Sequence, residues 1–468
     1  MKRKFVSLML LGMSVFLCGC PKSTQYHQPK LPVPATWPES VSSDAAAVNA
    51  PEALDLRWHE FFSDRRLQAV IEMALANNRD LRMATLNIEK VRALYRIQSA
   101  ELYPTITASA GADAYRIPEN LSGSGHPETV AQFTVGLGTV SWELDFFGRI
   151  RSLKSRALEQ YLATEQARSA TQISLVATVA AAYLNLAADR ENLRLALATF
   201  STQQATYELI VQTRDHGMTS DLEVSQSRSQ VEAAKVDIAK YAGQIALDEN
   251  ALDLLAGAPV AKDMLPDSLD SIAAMRDISA GMPSDVLLNR PDILTAEHQL
   301  KAADANIGAA RAAFFPRIAL TAAAGITSGD LGSLFKPAAG TWNFAPSVTL
   351  PIFDYGARQA NYDAARLDRD ILVADYEKTI QTAFREVIDA LNLRSTLVAQ
   401  QNALQSLVNA LAETHRLSEA RFKGGIDSYL SVLVAQRSLY VAQQQLVSIR
   451  LARLANLVSL YKALGGGA

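Results

Sequence analysis

Tyr103-Pro104-Thr105-Ile106-Thr107-Ala108-Ser109 and Phe315-Pro316-Arg317-Ile318-Ala319-Leu320-Thr321 are the two stretches whose reading decides the fold. Each begins with an aromatic-proline pair that ends a helical pattern and opens an alternating one. The alternation then resumes in a second run that closes on Asp145-Phe146-Phe147-Gly148-Arg149, echoed by Phe353-Asp354-Tyr355-Gly356-Ala357-Arg358. A long helical pattern follows each glycine. It stops at His216-Gly217-Met218-Thr219-Ser220-Asp221-Leu222 in one copy and at Gly424-Gly425-Ile426-Asp427-Ser428-Tyr429-Leu430 in the other. The halves end on Ala256-Gly257 and Leu464-Gly465. Gly148 and Gly356, Gly217 and Gly425, and Gly257 and Gly465 all stand 208 residues apart, whereas Pro104 and Pro316 stand 212 apart. The chain is a duplicated half-molecule, with its length variation confined to a hairpin loop.

Within the strands, Ile106, Ala108, Ala110, Ala112 and Ala114 fall on one side, and Thr105, Thr107, Ser109, Gly111 and Asp113 on the other. Phe133, Val135 and Leu137 keep this alternation until Gly138, where the phase slips to Val140, Trp142 and Leu144 and predicts a bulge or bend. Ile318, Leu320, Ala322, Ala324 and Ile326 alternate likewise, as do Trp342, Phe344, Val348 and Leu350. Each segment is about ten residues long, which suits a tilted membrane strand. Gly/Pro/Ser-rich loops lie near 117–129 and 328–340. Alternating strands also serve soluble hairpins on a core. If these meet lipid, four cannot close a barrel, because about eight is the practical minimum, and several chains must share one.

The helical segments are equally plain. Leu67, Val70, Ile71, Ala74 and Leu75 mark one face of a run expected from Trp58 to about Leu102. Residues 149–214 and 357–422 contain neither proline nor glycine, and helices of that length reach roughly 100 Å. They must pack as coiled coils along neighbours, here the returning helices expected at 219–256 and 427–463.

Composition narrows the function. The 468 residues carry a net charge of −3 with both signs interspersed, so no nucleic-acid surface is expected. Six scattered histidines and nine dispersed methionines offer no metal cluster, and no cofactor is expected. Phosphate loops and nucleophile elbows are absent, so no catalytic residue is expected and the chain does not read as an enzyme. Arg290-Pro291-Asp292 reads as a helix start, with proline in the first turn and aspartate at the positive end.

Both cysteines, Cys18 and Cys20, belong to the N-terminus. Lys2-Arg3-Lys4 followed by the apolar run from Phe5 to Leu17 reads as a signal peptide over 1–19. Leu17-Cys18-Gly19-Cys20 resembles a bacterial lipobox, which implies acylation of Cys20, and by the same analogy Pro21 suits sorting to the outer membrane. An extended arm is expected over 20–57, a first repeat over 58–257, a connector over 258–283 and a second repeat over 284–468.

Trp58…Phe61-Phe62-Ser63-Asp64…Leu67…Ala74-Leu75-Ala76-Asn77-Asn78-Arg79-Asp80-Leu81 resembles the entry motif of outer-membrane efflux channels of the TolC/OprM type. So do Arg290-Pro291-Asp292-Ile293, Ile307-Gly308-Ala309-Ala310-Arg311-Ala312-Ala313-Phe314-Phe315-Pro316 and Tyr461-Lys462-Ala463-Leu464-Gly465-Gly466-Gly467. The resemblance spans nearly all of the mature chain and is closest to the lipoprotein branch that serves resistance-nodulation-division pumps. It implies a mainly α protein with a membrane β-barrel portion. In that fold a homotrimer shares one twelve-stranded barrel in outer-membrane lipid, and coiled-coil hairpins build a periplasmic α-barrel. It implies a passive duct for small molecules, fed by an inner-membrane pump through a periplasmic adaptor (membrane fusion) protein.

The resemblance also places the turns Gly217-Met218 and Gly424-Gly425 at the periplasmic tip, where the adaptor docks. Leu430, Val434 and Arg437 share one helix face by their spacing. By resemblance that face lines the closed gate, which relatives build from leucine, aspartate and arginine. Val434 departs from this pattern, which puts the acidic ring and its cation selectivity in question. Glu223 matches a tip carboxylate that latches the closed state in relatives. Asp221, Glu223 and Asp427 equally suit solvated helix N-termini. Two other readings stand beside the efflux channel: the outer-membrane channel of a type I protein secretion system, and a periplasmic coiled-coil scaffold that never enters a membrane. The lipobox and Arg290-Pro291-Asp292 weigh against the first, and the four lipid-length strands against the second.

Overall fold

The computed structural model describes residues 26–34, 36–38, 56–279 and 287–466. Cys20, the signal peptide, most of the 20–57 arm and the last residues of the 258–283 connector lie outside the described residues. The helices are α1 (Trp58–Phe61), α2 (Arg65–Asn77), α3 (Arg79–Ala100), α4 (Arg149–Asp215), α5 (Asp221–Ala256), α6 (Pro291–Ala312), α7 (Ala357–Lys423) and α8 (Tyr429–Ala463). The strands are β1 (Thr107–Ile117), β2 (Glu128–Glu143), β3 (Arg317–Ser328) and β4 (Gly340–Thr349). The described chain divides into two compact units. One contains 26–30, 87–164 and 295–376; the other contains the remainder.

The first unit holds a single antiparallel sheet in the order β1-β2-β3-β4. Register sorts its faces as the alternation predicts. Ala110 pairs with Val135, Val135 with Ile326, Ala324 with Leu137 and with Trp342, and Ala322 with Phe344, so one face is apolar across all four strands. The opposite face carries Ser109, Thr134, Thr327, Thr341 and Asn343 among glycines and alanines. Gly136 and Gly325 sit opposite one another, and a Cβ on Gly325 would overlap the Val135 carbonyl, so two backbones meet there as no larger residue allows.

The irregularity in β2 lies a little beyond Gly138. Thr139 pairs with Ala322 and Trp142 with Leu320, so β2 spends three residues where β3 spends two. Ser141, at φ 55°, absorbs the bulge. One extra residue reverses the parity of the strand and returns Trp142 to the apolar side.

The second unit is built on a core that the Trp58–Leu81 motif supplies. Phe61, Phe62, Leu67, Val70, Ile71 and Ala74 are buried with Tyr183, Leu186, Leu252, Leu460 and Tyr461. Phe61 stacks on Tyr461 with centroids 4.1 Å apart, and the Tyr461 hydroxyl donates to the Leu56 carbonyl at 2.7 Å. The expected continuous helix from Trp58 to Leu102 is instead three helices, and two side chains account for the breaks. Asp64 accepts from the Arg66 and Leu67 amides at 2.9 and 3.0 Å, and Asn78 accepts from Leu81 at 3.0 Å, so each caps a new helix. Asn78 also donates to the Leu255 carbonyl at 3.0 Å. Asp64 and Asn78, two polar residues of the motif, are thus helix caps within this packed body.

The long helices run from Arg149 to Asp215 and from Ala357 to Lys423, 67 residues each, within a residue of the expected bounds. The returning helices begin at Asp221 and Tyr429, two residues after their expected starts, and end as expected. Arg290 precedes α6 as anticipated for a helix start, and the structure gives it a further role. Its guanidinium, 9% exposed, donates to both Asp292 oxygens at 3.0 and 2.7 Å, to Glu386 at 3.0 Å and to the Ala463 carbonyl at 2.5 Å. One cation thereby ties the start of α6 to α7 and to the last turn of α8. Arg290→Met should lower stability by about 2 kcal/mol, because two half-exposed carboxylates and a carbonyl lose their donor. A thermal melt of the detergent-solubilised protein reads the loss, and an unchanged melting temperature would deny the tie.

Candidate functional site: the helical turns and the open sheet

The two helical hairpins turn through the same backbone device. After α4, the Gly217 amide donates to Arg214 at 2.8 Å and the Met218 amide to Thr213 at 2.9 Å. After α7, Gly425 donates to Phe422 and Ile426 to Arg421, both at 2.9 Å. Gly217 and Gly425 both adopt φ 74°, so each is the left-handed residue of a Schellman cap. Gly424, the other glycine of the second turn, has an ordinary φ and room for a Cβ. Met218 and Ile426, at equivalent positions, are 72% and 66% exposed.

The side chains that fasten these turns differ between the halves. Ser220 and Glu223 form a capping box with mutual distances of 3.4 Å, and Thr219 also donates to the Glu223 carboxylate. Glu223 is thus engaged at the start of its own helix. Asp221 is exposed and receives Arg214 at 3.4 Å, while Arg214 also pairs with Asp215 at 2.8 Å. In the second turn Asp427 is held bidentately by Arg421, at 2.6 and 3.0 Å. Hydrogen bonds from Arg421 hold the Asp427 carboxyl below its ordinary value. A lowered carboxyl stays ionised down through the ordinary carboxylate range, so this pair persists in mild acid and opens only as pH falls through the depressed value.

Leu430 and Val434 are 51% and 58% exposed, and Arg437 is exposed on the same face of α8. Arg437 makes no ion pair among the described residues. The opposite face of α8 is packed: Tyr429 and Val432 join Ile210, flanked by Val224, Phe422 and Leu433. This small core and the Arg421 partner of Asp427 are features of the turn that sequence reasoning does not find. One signal pointed to the core, since the large aromatic Tyr429 opens α8 where its duplicate position opens α5 with Asp221.

In the first unit, β1 and β4 each pair on one side only, so the sheet has two open edges. Beside β2, Glu143 receives Arg149 at 2.9 Å and Arg317 at 2.6 Å, which locks the entry to β3 onto the exit from β2. Large apolar side chains stand exposed on and around β4: Trp342 at 78%, Ile352 at 84%, Phe353 at 83% and Tyr355 at 93%. A water-soluble protein does not leave such a surface uncovered.

With this geometry described, comparison with known proteins decides the family. The model for outer membrane efflux proteins matches residues 70–258 and 282–466. The chain belongs to the outer membrane efflux protein family. The efflux pump outer membrane protein TtgC of Pseudomonas putida, itself described as probable, is 46% identical over 98% of this chain and 96% of its own. OprJ of Pseudomonas aeruginosa is 40% identical over 99% and 95%. The open state of the Neisseria gonorrhoeae MtrE outer membrane channel superposes with a TM-score of 0.87 at 41% identity, covering 96% of this chain and 98% of that one. A membrane protein of Pseudomonas aeruginosa gives 0.90 at 40% identity, with the same coverage. This outer membrane efflux protein is therefore a component of an efflux system located in the outer membrane, and its family is one of transport channels rather than enzymes. The soluble scaffold reading is set aside by that location.

Gly425→Val forces a β-branched residue into the left-handed region and should destabilise the second turn by about 1–2 kcal/mol. Gly424→Ala should be close to neutral. Hydrogen exchange of the amides from Arg421 to Val432 distinguishes them, and equal protection in the two variants would remove the cap from the account.

Proposed function

We propose that this protein is the passive exit duct of a tripartite efflux system: a homotrimer whose chains each give four strands to one twelve-stranded outer-membrane barrel. The observation that carries the proposal is the four-stranded sheet with an apolar face and two open edges. Hydrocarbon supplies no partner for an unpaired edge, so β1 of one copy and β4 of another must satisfy each other. Six helical hairpins, two per chain, would then surround one periplasmic tunnel.

In that assembly the exposed Leu430-Val434-Arg437 stripe turns toward the axis. Leu430 forms an apolar ring that blocks ions by dewetting, and Arg437 a cationic one behind it. Glu223, Asp221 and Asp427 fasten the turns. Gly217, Met218, Gly424 and Gly425 are the points where a periplasmic adaptor makes contact, and tip helices parting on that contact open the duct. Energy comes from an inner-membrane resistance-nodulation-division pump; the channel itself performs no catalysis and needs no cofactor. Acylation at Cys20 anchors each chain to outer-membrane lipid. The relatives' names include efflux of toluene, solvents and antibiotics, and we extend that class of small, largely apolar cargo to this chain. Secretion of folded or unfolded polypeptides is the competing client.

Protein extracted from outer membranes should run as a heat-modifiable trimer and conduct in planar bilayers; monomers that never conduct would defeat the proposal. Val434→Asp should raise cation preference, since three carboxylates then ring the axis. Unchanged selectivity would mean that position 434 does not face the pore. Cells lacking the protein should gain susceptibility to toluene-like solvents and antibiotics without losing a secreted polypeptide.

A further inference from the structure

The first helical hairpin contains an acidic pair that the duct does not use. Asp189 on α4 and Asp248 on α5 act on one another: the charge and hydrogen bonding of Asp248 disfavour ionisation of Asp189. Gln244 donates to Asp248 Oδ1 at 3.1 Å, whereas Asp248 Oδ2 is shut off from solvent with no donor. Asn192, 8% exposed, also favours the ionised Asp189, and its own Oδ1 is shielded and unpartnered. The site therefore concentrates acceptors and is short of a donor. Two ionised carboxylates side by side under these conditions repel, and each buried acceptor without a hydrogen costs free energy.

The surrounding charges leave the deficit standing. Arg190 on α4 is committed to Glu249 of α5 at 2.8 Å and to the Pro266 carbonyl at 2.9 Å. Glu191 is taken by Arg450 of α8 at 2.7 Å. From α8, Gln444 reaches Tyr241 at 3.1 Å and Tyr440 reaches Asp237 at 2.9 Å, both neutral side chains. Lys240 of α5 supplies a positive charge that bears on Asp189. A single cation offsets a single carboxylate, and the second needs a proton.

We propose that Asp189 and Asp248 hold one proton between them and form a pH-dependent clip across the α4–α5 seam. The proton on one carboxyl is donated to the other, so one added hydrogen gives the shielded Asp248 oxygen a partner and removes the repulsion together. Burial, followed by the hydrogen bond and charge of Asp248, moves the Asp189 carboxyl up from its ordinary 3.8 to about 6. A raised folded value means the folded seam binds the proton more tightly than the unfolded chain. The clip is therefore fully present below the ordinary carboxyl value, weakens as pH rises, and is gone above about 6.

The duplication provides an internal control. Position 397, the duplicate of 189, is a buried leucine, and position 456, the duplicate of 248, is Asn456, whose amide donates to the Ala390 carbonyl at 2.9 Å. The α7–α8 seam has no proton to lose at these positions. Mild acid then acts on the first hairpin of each chain and leaves the second alone.

Hydrogen exchange on the full-length protein in detergent, at about pH 5 and about pH 7.5 and corrected for intrinsic rates, tests this. Peptides over 185–192 and 244–252 should lose roughly tenfold protection at the higher pH, while 393–400 and 452–460 should not. Asp248→Asn, which keeps a permanent donor, should hold protection at both pH values. Asp189→Leu combined with Asp248→Asn, copying the second seam, should do the same. The infrared carbonyl band of a protonated carboxyl should be present in the wild type in mild acid and absent from either variant, an outcome readable even if protection shifts for other reasons. An equal pH response in wild type and Asp248→Asn, or no such band, would overturn the clip. Protection at the higher pH that appears with Mg2+ and vanishes with a chelator would assign the pair to a cation and equally overturn it.

Discussion

A β-strand edge cannot end in hydrocarbon. That constraint governs this molecule more than any single contact, because its sheet has four strands, an apolar face and two unpaired edges. Among the described residues nothing satisfies either edge, and four strands fall well short of closing. In the assembly we propose, closure comes from further copies, and everything attached to the strands then inherits the symmetry of that closure. Helices of 67 residues make sense in this light: a lone chain gains little from such lengths, but several copies together can enclose a passage.

The duplication is strictest in the backbone and loosest in the side chains. Left-handed glycines recur at 148 and 356, 217 and 425, and 257 and 465, so turns and helix ends are copied to the residue. What sits beside those turns is not copied. Thr219 with Glu223 serves the first turn and Arg421 with Asp427 the second; Asp221 opens one returning helix and Tyr429 the other. A tube requires quasi-equivalent walls, which fixes geometry. In the duct we propose, the closing end can tolerate, and use, unequal sectors.

Much of this was legible from the chain alone, for a physical reason. Periodicity over dozens of residues averages out local noise, so the proline-free, glycine-free helices could be bounded within a residue or two at either end. Strand faces followed from parity, and the fold class with its family followed from motifs in fixed order. The failures cluster where a single polar side chain outweighs a pattern. Asp64 and Asn78 break a helix that Leu67, Val70, Ile71 and Ala74 appeared to extend through both, because a cap is one hydrogen bond and leaves no periodic trace. The Val140–Ser141 bulge was anticipated two residues early, since alternation shows that parity changes but not which residue is extra. Pairings such as Arg290 with Glu386 could not be found, because the sequence separation carries no signal of contact. After the second turn, the exposed stripe of Leu430, Val434 and Arg437 was readable as a face, whereas the partner of Asp427 was not.

The contrast between the two caps carries one more consequence. The first turn carries hydroxyl and amide hydrogens on the Glu223 carboxylate, short-range bonds that dissolved ions scarcely weaken, beside a longer Arg214–Asp221 pair at 3.4 Å. The second is fastened by a half-exposed guanidinium–carboxylate pair, whose attraction mobile ions screen within a Debye length of about 10 Å at 0.1 M salt. Ionic strength therefore discriminates between turns that share one backbone. In a saline medium the second turn slackens before the first.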